Sequence, residues 1–590
     1  MKYRSEIDGL RALAVVPVIL FHAGFQFFKG GFIGVDVFFV ISGYLITSII
    51  IYEINQKKFN ILNFYERRIR RILPALFFVI ILNIPFALLF MLPDPLENFG
   101  QSLIATTFFS NNILLYLTSG YWDLASEFKP LLHTWSLAVE EQYYIIFPIL
   151  MILISNWRLK LQLLLFLTLF LLSLYVAEIN INNGGSFYLL HTRAFEILIG
   201  VFSAFFLIKK GFYNSKVLNE SLSLLGIIMI FISIFIFDDS TPFPGIYSLI
   251  PTIGTCLIIL FAVKDTFVNN FLSKKIFIQI GLVSYSAYLF HQSIFSYMRI
   301  ISVNEPSNLL LFFGIVLTFL LAYLSFQFVE KPFRDKTKID SKKLFIYLFI
   351  PFLLIISLGS HITINNGYIE KFYGENFNKL EKSKIISQRA YNFSKNEFIN
   401  EDMLNVLIIG NSFGRDIINV VLETYNQNHY ELIYSNEYND CSLNRNFLVD
   451  KVIAQSDLII MGSDFSDKNC IDQLIKKAKK LDKAIFFVGA KHFGNNLNWI
   501  RRINLEDRNN LRNEIPENTL TLESKLKLIV PSDNFISYIE NLSNEGKIII
   551  TDDNGNLISD DRQHLTLSGV KYVGENVFKR NSSLSSYFEE

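Results

Sequence analysis

The chain has 590 residues, 51% of them hydrophobic and 15% aromatic, with 58 Phe and a formal net charge of +1. An ordinary soluble protein of this length does not carry such a composition, so a polytopic membrane protein is expected. The net charge says little by itself, because its distribution matters more than its sum; no nucleic-acid partner is expected.

The first 30 residues do not read as a cleaved signal peptide, since Asp8 and Arg11 crowd the start of the apolar run and no small-residue cleavage site follows. Residues 11–28 (RALAVVPVILFHAGFQFF) read as one membrane helix with Arg11 near one end and His22 inside it. Eleven residues make about three turns, which puts both side chains on one face about 16 Å apart. Ionisable groups on an apolar helix usually face a bundle interior or wet cavity, so this pair is a candidate site. A snorkelling arginine plus a hydrogen-bonded packing histidine is the alternative.

Apolar runs long enough to span fall near 10–28, 34–54, 73–92, 137–155, 161–178, 189–208, 222–237, 245–263, 278–298, 309–329 and 343–362, eleven in all. A shorter patch, 103–118, carries Asn111 and Asn112 and reads as re-entrant or interfacial. With the N-terminus in the cytoplasm, the inward connections hold Lys57, Lys58, Arg67, Arg68, Arg70, Arg71 and most of the other cations near the spans. The short outward ones hold only Lys29, Lys129 and Arg299. Positive residues collect in cytoplasmic loops, and an odd span count then sends the tail after about 362 to the periplasm or exterior of a bacterial cytoplasmic (inner) membrane.

The tail changes character. Residues 363–400 are polar and read as a linker. Beyond them the β-branched runs VLIIG (406–410), ELIYS (431–435), LIIMG (458–462) and AIFFVG (484–489) alternate with helix-length polar stretches. That order argues for a parallel sheet flanked by helices. Cys441 and Cys470 stand on the oxidising side, where a disulfide and two reduced packing cysteines are the alternatives.

Polar residues inside the spans are few and therefore informative. The fourth span opens with His133, Trp135, Ser136, Glu140 and Glu141, followed by Tyr143 and Tyr144. His191, Arg193 and Glu196 open the sixth, where Arg193 and Glu196 form an i,i+3 pair able to neutralise itself. Ser284, Tyr288 and His291 share one face of the ninth. Mutual pairing between helices accounts for Arg193–Glu196 but less comfortably for His22, His133 and His291 together, because proton transfer also wants neutral imidazoles near an acid. The loop FYERRIRRILP (64–74) suits phosphate oxygens, or alternatively anionic lipid and topology control. In the tail, Ser412 follows a strand directly, where helix N-terminal N–H groups can serve as oxyanion donors. Asp561 and His564 lie three apart, as an orienting acid and a base require. No paired Cys spacing or HExxH is present, so no metal is expected.

These residues resemble the acyltransferase-3 family of membrane glycan O-acyltransferases, in the form fused to an SGNH-hydrolase-like domain. The motifs are EIDGLRALAVVPVILFHAG, GGFIGVDVFFVISGYLI (30–46), FYERRIRRILP, HTWSLAVEEQYYIIFP (133–148), VSYSAYLFHQSI (283–294) and VEKPFR (329–334). The resemblance implies that Arg11 and His22 act in acyl transfer and that Arg68 and Arg71 handle the donor. It also implies Ser412 as the first SGNH block and Asp561 with His564 as the last. Position 411 is Asn where the family usually has Asp, and the oxyanion blocks have Gly462 and Asn495 as candidates.

The expected architecture is a helical polytopic membrane domain of about 11 spans followed by a soluble three-layer α/β SGNH-like domain. Its parts are a transmembrane acyltransferase domain at 1–335, an additional helix at 336–362, a linker at 363–400 and an extracytoplasmic domain at 401–590. The expected activity moves an acyl group, acetyl above all, from cytoplasmic acyl-CoA to a hydroxyl of a lipid-linked or envelope glycan such as lipopolysaccharide O-antigen. Peptidoglycan, capsule or exopolysaccharide acylation is one alternative. A proton-coupled transporter with a glycan-binding tail is another, since intramembrane Arg, Glu and His suit a carrier equally. No tightly bound cofactor is expected, and the other partner is membrane lipid.

Overall fold

The computed structural model describes residues 3–118, 126–181, 184–238, 240–373, 382–400, 402–436, 447–462 and 468–589. The chain divides into two compact units. The first is Met1–Met91 with Pro95–Gly367, and the second is Leu92–Asp94 with Tyr368–Glu590.

The first unit is helical. Its helices are α1 (Ser5–His22), α2 (Gly34–Asn55), α3 (Ile61–Phe90), α4 (Pro93–Thr107), α5 (Asn111–Thr118), α6 (Thr134–Ile154), α7 (Leu159–Ile179) and α8 (Leu190–Lys210). There follow α9 (Lys216–Ile236), α10 (Leu249–Phe261), α11 (Phe267–Leu272), α12 (Lys275–Ile301), α13 (Asn308–Ser325), α14 (Lys331–Arg334) and α15 (Ser341–Ile364). Polar caps set several starts: the side chains of Asn60, Ser307 and Asp340 accept from backbone N–H groups three residues on. Among the described residues, eight helical segments are long and apolar enough to cross a membrane. The other three expected spans fall on α1, α10 and α12. Of these, α1 carries Glu6, Asp8 and Arg11, α10 has 13 residues, and α12 buries Ser284, Ser286, His291, Gln292, Ser293 and Ser296. Polar residues set α1 and α12 apart from the eight, and shortness sets α10 apart. The 103–118 patch is the end of α4 plus the short α5.

Two close helix contacts organise this unit. A Cβ at Gly281 of α12 would lie 1.9 Å from the Asp8 carbonyl oxygen of α1, so these backbones touch. A Cβ at Gly200 of α8 would lie 2.1 Å from the Val40 oxygen of α2. Small residues at such crossings let helices approach within the reach of backbone dispersion forces.

The second unit is built on a five-stranded parallel sheet. Its strands are β1 (Leu404–Gly410), β2 (Tyr430–Ser435), β3 (Leu458–Gly462), β4 (Ala484–Val488) and, after the short β5 (Arg512–Glu514), β6 (Phe535–Ile536), in the order β2-β1-β3-β4-β6. Strand periodicity splits the core into two layers. Val406 and Ile408 of β1 pack with Ile417, Ile418 and Val421, whereas Leu407 and Ile409 pack with Ile471 and Leu474 on the other face. A small antiparallel sheet joins β5 to β8 (Lys547–Ile549), which pairs with β7 (Ser543–Asn544).

The stretch expected to be a linker is partly core. Helix α16 (Ile369–Tyr373) and α17 (Ser383–Gln388) belong to this unit, and Ile386 and Ala390 are fully buried in its main cluster. Burying an isoleucine contributes about 1.5–3 kcal/mol, enough to fix a short segment. Asn419 Nδ2 also donates to the Ile386 oxygen at 3.0 Å, and Arg415 Nε to Ser387 Oγ at 2.8 Å. Cys441, one of the two tail cysteines expected to pair or pack, lies outside the described residues, while Cys256 is a free thiol.

Candidate functional site

In the first unit, Arg11, Arg68, Arg71, Ser136, Glu140 and Tyr288 line one cavity of about 80 Å³, joined by Ser42, Tyr144, Ser284 and Tyr285. Such a volume holds several waters. The basic cluster sorts itself by partner. Arg67 pairs with Glu53 and Arg70 with Glu66, and Arg70 Nη1 also donates to the Phe333 and Ile339 oxygens at 3.1 and 2.6 Å. Arg68 and Arg71 face the cavity instead, and the buried Arg68 Nε has no hydrogen-bond partner. Arg11 is held at the cavity by Asp8, 2.7 Å away and one turn back on α1. On the opposing wall, the Glu140 carboxylate accepts from Ser42 and Tyr144.

His22 is not at that cavity. It ends α1 in a cluster of imidazoles: its ring lies 5.1 Å from that of His291, and His291 lies 5.3 Å from His133. Tyr288 joins the two places. It lines the cavity, its hydroxyl is 2.6 Å from Ser136 Oγ, and its ring lies 5.3 Å from His133 and 5.2 Å from His291. His291 Nδ1 is 2.5 Å from the Tyr288 oxygen, whereas His291 Nε2 and both ring nitrogens of His133 are buried without a hydrogen-bond partner. Buried polar atoms left unpaired cost about 1–3 kcal/mol each, which water or a ligand at these nitrogens would relieve.

Four of the expected residues, Arg193, Glu196, Glu141 and His191, stand elsewhere. Arg193 and Glu196 pair at 3.0 Å, and Asp36 joins them at 2.8 Å, all three at most 1% exposed. The guanidinium is also ringed by Phe39, Trp135 and Phe187. This knot ties α8 to α2. Asp36 was missed in the sequence, although it is the acid in the first turn of α2, ahead of a long apolar run. Glu141 is buried with Oε1 unpaired, outside the cavity lining. His191 borders a second, apolar groove between α6, α7 and α8.

In the second unit, Ser412, His564 and Asp561 come together. Ser412 Oγ is 2.7 Å from His564 Nε2, and His564 Nδ1 is 2.6 Å from Asp561 Oδ2. The other carboxylate oxygen, Oδ1, accepts from the His564 and Gln563 amides at 2.8 and 3.0 Å. Burial pushes the Asp561 carboxyl up, but the neighbouring His564 and these hydrogen bonds more than offset it and hold it below its ordinary value. Ser412 opens α18 (Ser412–Thr424) directly beyond β1, where strand order reverses between β1 and β3. Ligands of open α/β sheets bind at that crevice. The Asn411 side chain accepts from Phe413 N–H at 2.9 Å, so asparagine fills the N-cap as an aspartate would.

Gly462 ends β3 opposite Gly410, where a Cβ would lie 2.3 Å from Ile417 Cδ1. The Gly414 backbone of α18, 3.0 Å from that Cβ position, also packs closely there. Asn495 is exposed and engages Arg562 through its backbone oxygen at 3.4 Å; the neighbouring Asn496 is buried and its Oδ1 accepts from the Asn498 amide. Among the described residues, no group of three or more His, Cys, Asp or Glu side chains has metal-holding geometry.

The family model described as an acyltransferase domain matches residues 4–326. A Staphylococcus aureus (strain MSSA476) protein with the provisional name O-acetyltransferase is 30% identical over 417 residues, covering 65% of this chain and 67% of that protein. The O-acetyltransferase OatA of S. aureus strain MRSA252 is 34% identical over 388 residues, covering 60% and 63%. OatA of strain NCTC 8325 is 34% identical over 355 residues, covering 57% and 58%. No solved structure matches the chain.

Proposed function

The chain belongs to the acyltransferase-3 family and is an acyltransferase, and from that premise we propose that it carries an acetyl group from cytoplasmic acetyl-CoA to a hydroxyl of a cell-envelope glycan, such as lipopolysaccharide O-antigen. The O-acetyltransferase names of the relatives support the acetyl group and the hydroxyl acceptor. One observation carries the reading: three arginines share a cavity whose Tyr288 wall also packs against the buried imidazoles.

Guanidinium forks match phosphate oxygens, so Arg68 and Arg71 hold the donor's phosphates while Arg11 orients the site or adds a third contact. The N-terminus of α1 is cytoplasmic in this reading, and the last span hands the second unit to the far side. His22 acts as base or acyl relay. Ser412 then completes delivery. Its Oγ attacks the acyl carbonyl while its proton moves to His564 Nε2, and the departing group collects that proton as its bond to the acyl carbon breaks. The glycan hydroxyl repeats the step in reverse: it gives its proton to Nε2, forms the new ester and releases Ser412 Oγ–H. The Ser412–His564–Asp561 geometry favours this relay over a tail that only binds glycan.

Mass spectrometry of envelope glycans tests the reading. Cells carrying the intact chain are expected to gain acetyl esters (one added mass of ketene per site), and cells carrying His22→Ala or Ser412→Ala at equal abundance are expected to lack them. Identical glycans with and without the gene overturn it.

A further inference from the structure

A buried ion pair in the second unit takes no part in these steps. Asp416 lies one turn beyond Ser412 on α18, so the two side chains share a face. Its Oδ2 accepts from Lys491 Nζ and, at 3.3 Å, from the backbone amide of Leu565, the residue after His564. Both charged side chains are at most 1% exposed. The Lys491 ammonium stands 4.6 Å from the centroid of Phe413, whose ring is 5.9 Å from that of His564. Two residues after Lys491, Phe493 N–H donates to the Arg562 oxygen at 2.8 Å. The loop bearing Asp561 and His564 is thus fastened at 562 by the segment leaving β4 and at 565 by α18.

Stability does not account for the pair. Burying two ions costs several kcal/mol each, and well-packed apolar residues of like volume commonly serve as well or better. Asp416 Oδ1 is also buried without a partner, a further cost. What the pair supplies is a fixed distance between the helix that carries the nucleophile and the loop that carries its base. We propose that Asp416 and Lys491 are positioning residues that hold His564 Nε2 on Ser412 Oγ. The assignment rests on the triad reading above.

The test uses the full-length chain in detergent, with p-nitrophenyl acetate as the ester and a fluorophosphonate to titrate reactive Ser412. Asp416→Ala with Lys491→Met removes the tether without leaving a buried unpaired charge. It is expected to lower kcat per titrated site on the order of 100-fold at unchanged KM, as a displacement of about 1 Å does. Asp416→Asn with Lys491→Met keeps an acceptor for the Leu565 amide and is expected to regain most of that loss. Unchanged turnover per titrated site in the Ala variant, with or without fewer titratable sites, overturns the proposal by reducing the pair to a structural role. Turnover that survives Ser412→Ala has a different signature: it removes the triad reading and this assignment with it.

Discussion

The two polar centres of this chain are finished to different degrees. In the second unit each acceptor and donor of the triad is matched internally: serine to imidazole, imidazole to carboxylate, carboxylate to two backbone amides. In the first unit Arg68 Nε at the cavity, and His291 Nε2 and both nitrogens of His133 in the imidazole cluster beyond Tyr288, are buried without protein partners. A self-satisfied network is preorganised and rigid, whereas an unsatisfied one is stabilised by what enters it. Under the proposed reading, the first centre takes up the donor and the second completes delivery.

The contrast breaks first at the triad. Ser412→Ala, His564→Ala and the double variant are each expected to lower acyl incorporation by on the order of 10⁴ or more, and about equally, because members of one catalytic unit are not additive. Near-normal incorporation by Ser412→Ala at matched membrane abundance would leave the second unit a binding module. Next comes His22→Ala, with an expected loss of roughly 10²–10⁴ if its imidazole moves the proton or the acyl group. Acetylation assays on membranes of equal protein content decide it.

The receiving centre is sharpened by its arginines. Arg68→Ala or Arg71→Ala is expected to raise KM for acetyl-CoA about 10- to 100-fold, the worth of one charge-assisted contact of about 1.5–3 kcal/mol. Arg67→Ala, which breaks a partly exposed pair with Glu53, should change KM by less than about fivefold. Equal KM effects at 67 and 68 would reduce the whole cluster to lipid contact. Initial-rate kinetics over a range of donor concentration separate these outcomes.

The smallest effect concerns pH. Asp560 adjoins the triad acid and accepts from Ser383 N–H at 3.2 Å and from its hydroxyl. Burial first, then the charges of Asp561 and Asp94, push its carboxyl up to about 8. Its ordinary value is about 3.9, so between roughly pH 4 and 8 the folded chain holds a proton that the unfolded chain has released. Stability from this group therefore falls as pH rises through that window. Asp560→Asn is expected to flatten the decline, read as a smaller drop in the unfolding midpoint of the second unit between roughly pH 5 and 8 in the full-length protein. A midpoint curve identical to that of the unsubstituted chain removes Asp560 from the pH response.

Legibility followed sequence distance. The alternation of β-branched runs with helical stretches was enough for the parallel sheet, because strand and helix periods are local. Ser412, Asp561 and His564 were readable since two short motifs carry them. Asp416 and Lys491 were not: they stand 75 residues apart and each looks like an ordinary solvated charge. The stretch around Ile386 looked like linker because its polar neighbours hide a single fully buried isoleucine. In the membrane part, spacing put Arg11 and His22 on one face, but only the packing of α12 against α1 shows that Arg11 stands at the cavity and His22 in the imidazole cluster.

The Asp36–Arg193–Glu196 knot bears on how the chain enters a bilayer during synthesis. Arg193 and Glu196 travel on the same helix and arrive already paired, but Asp36 precedes its guanidinium by 157 residues. A lone charge in an apolar helix costs up to about 2.5–3.5 kcal/mol at mid-bilayer. Asp36 stands in the first turn of α2, where the cost is smaller than at the centre, and until α8 is made it lacks the guanidinium that pairs with it. The tie between α2 and α8 is thus completed only once α8 has been synthesised.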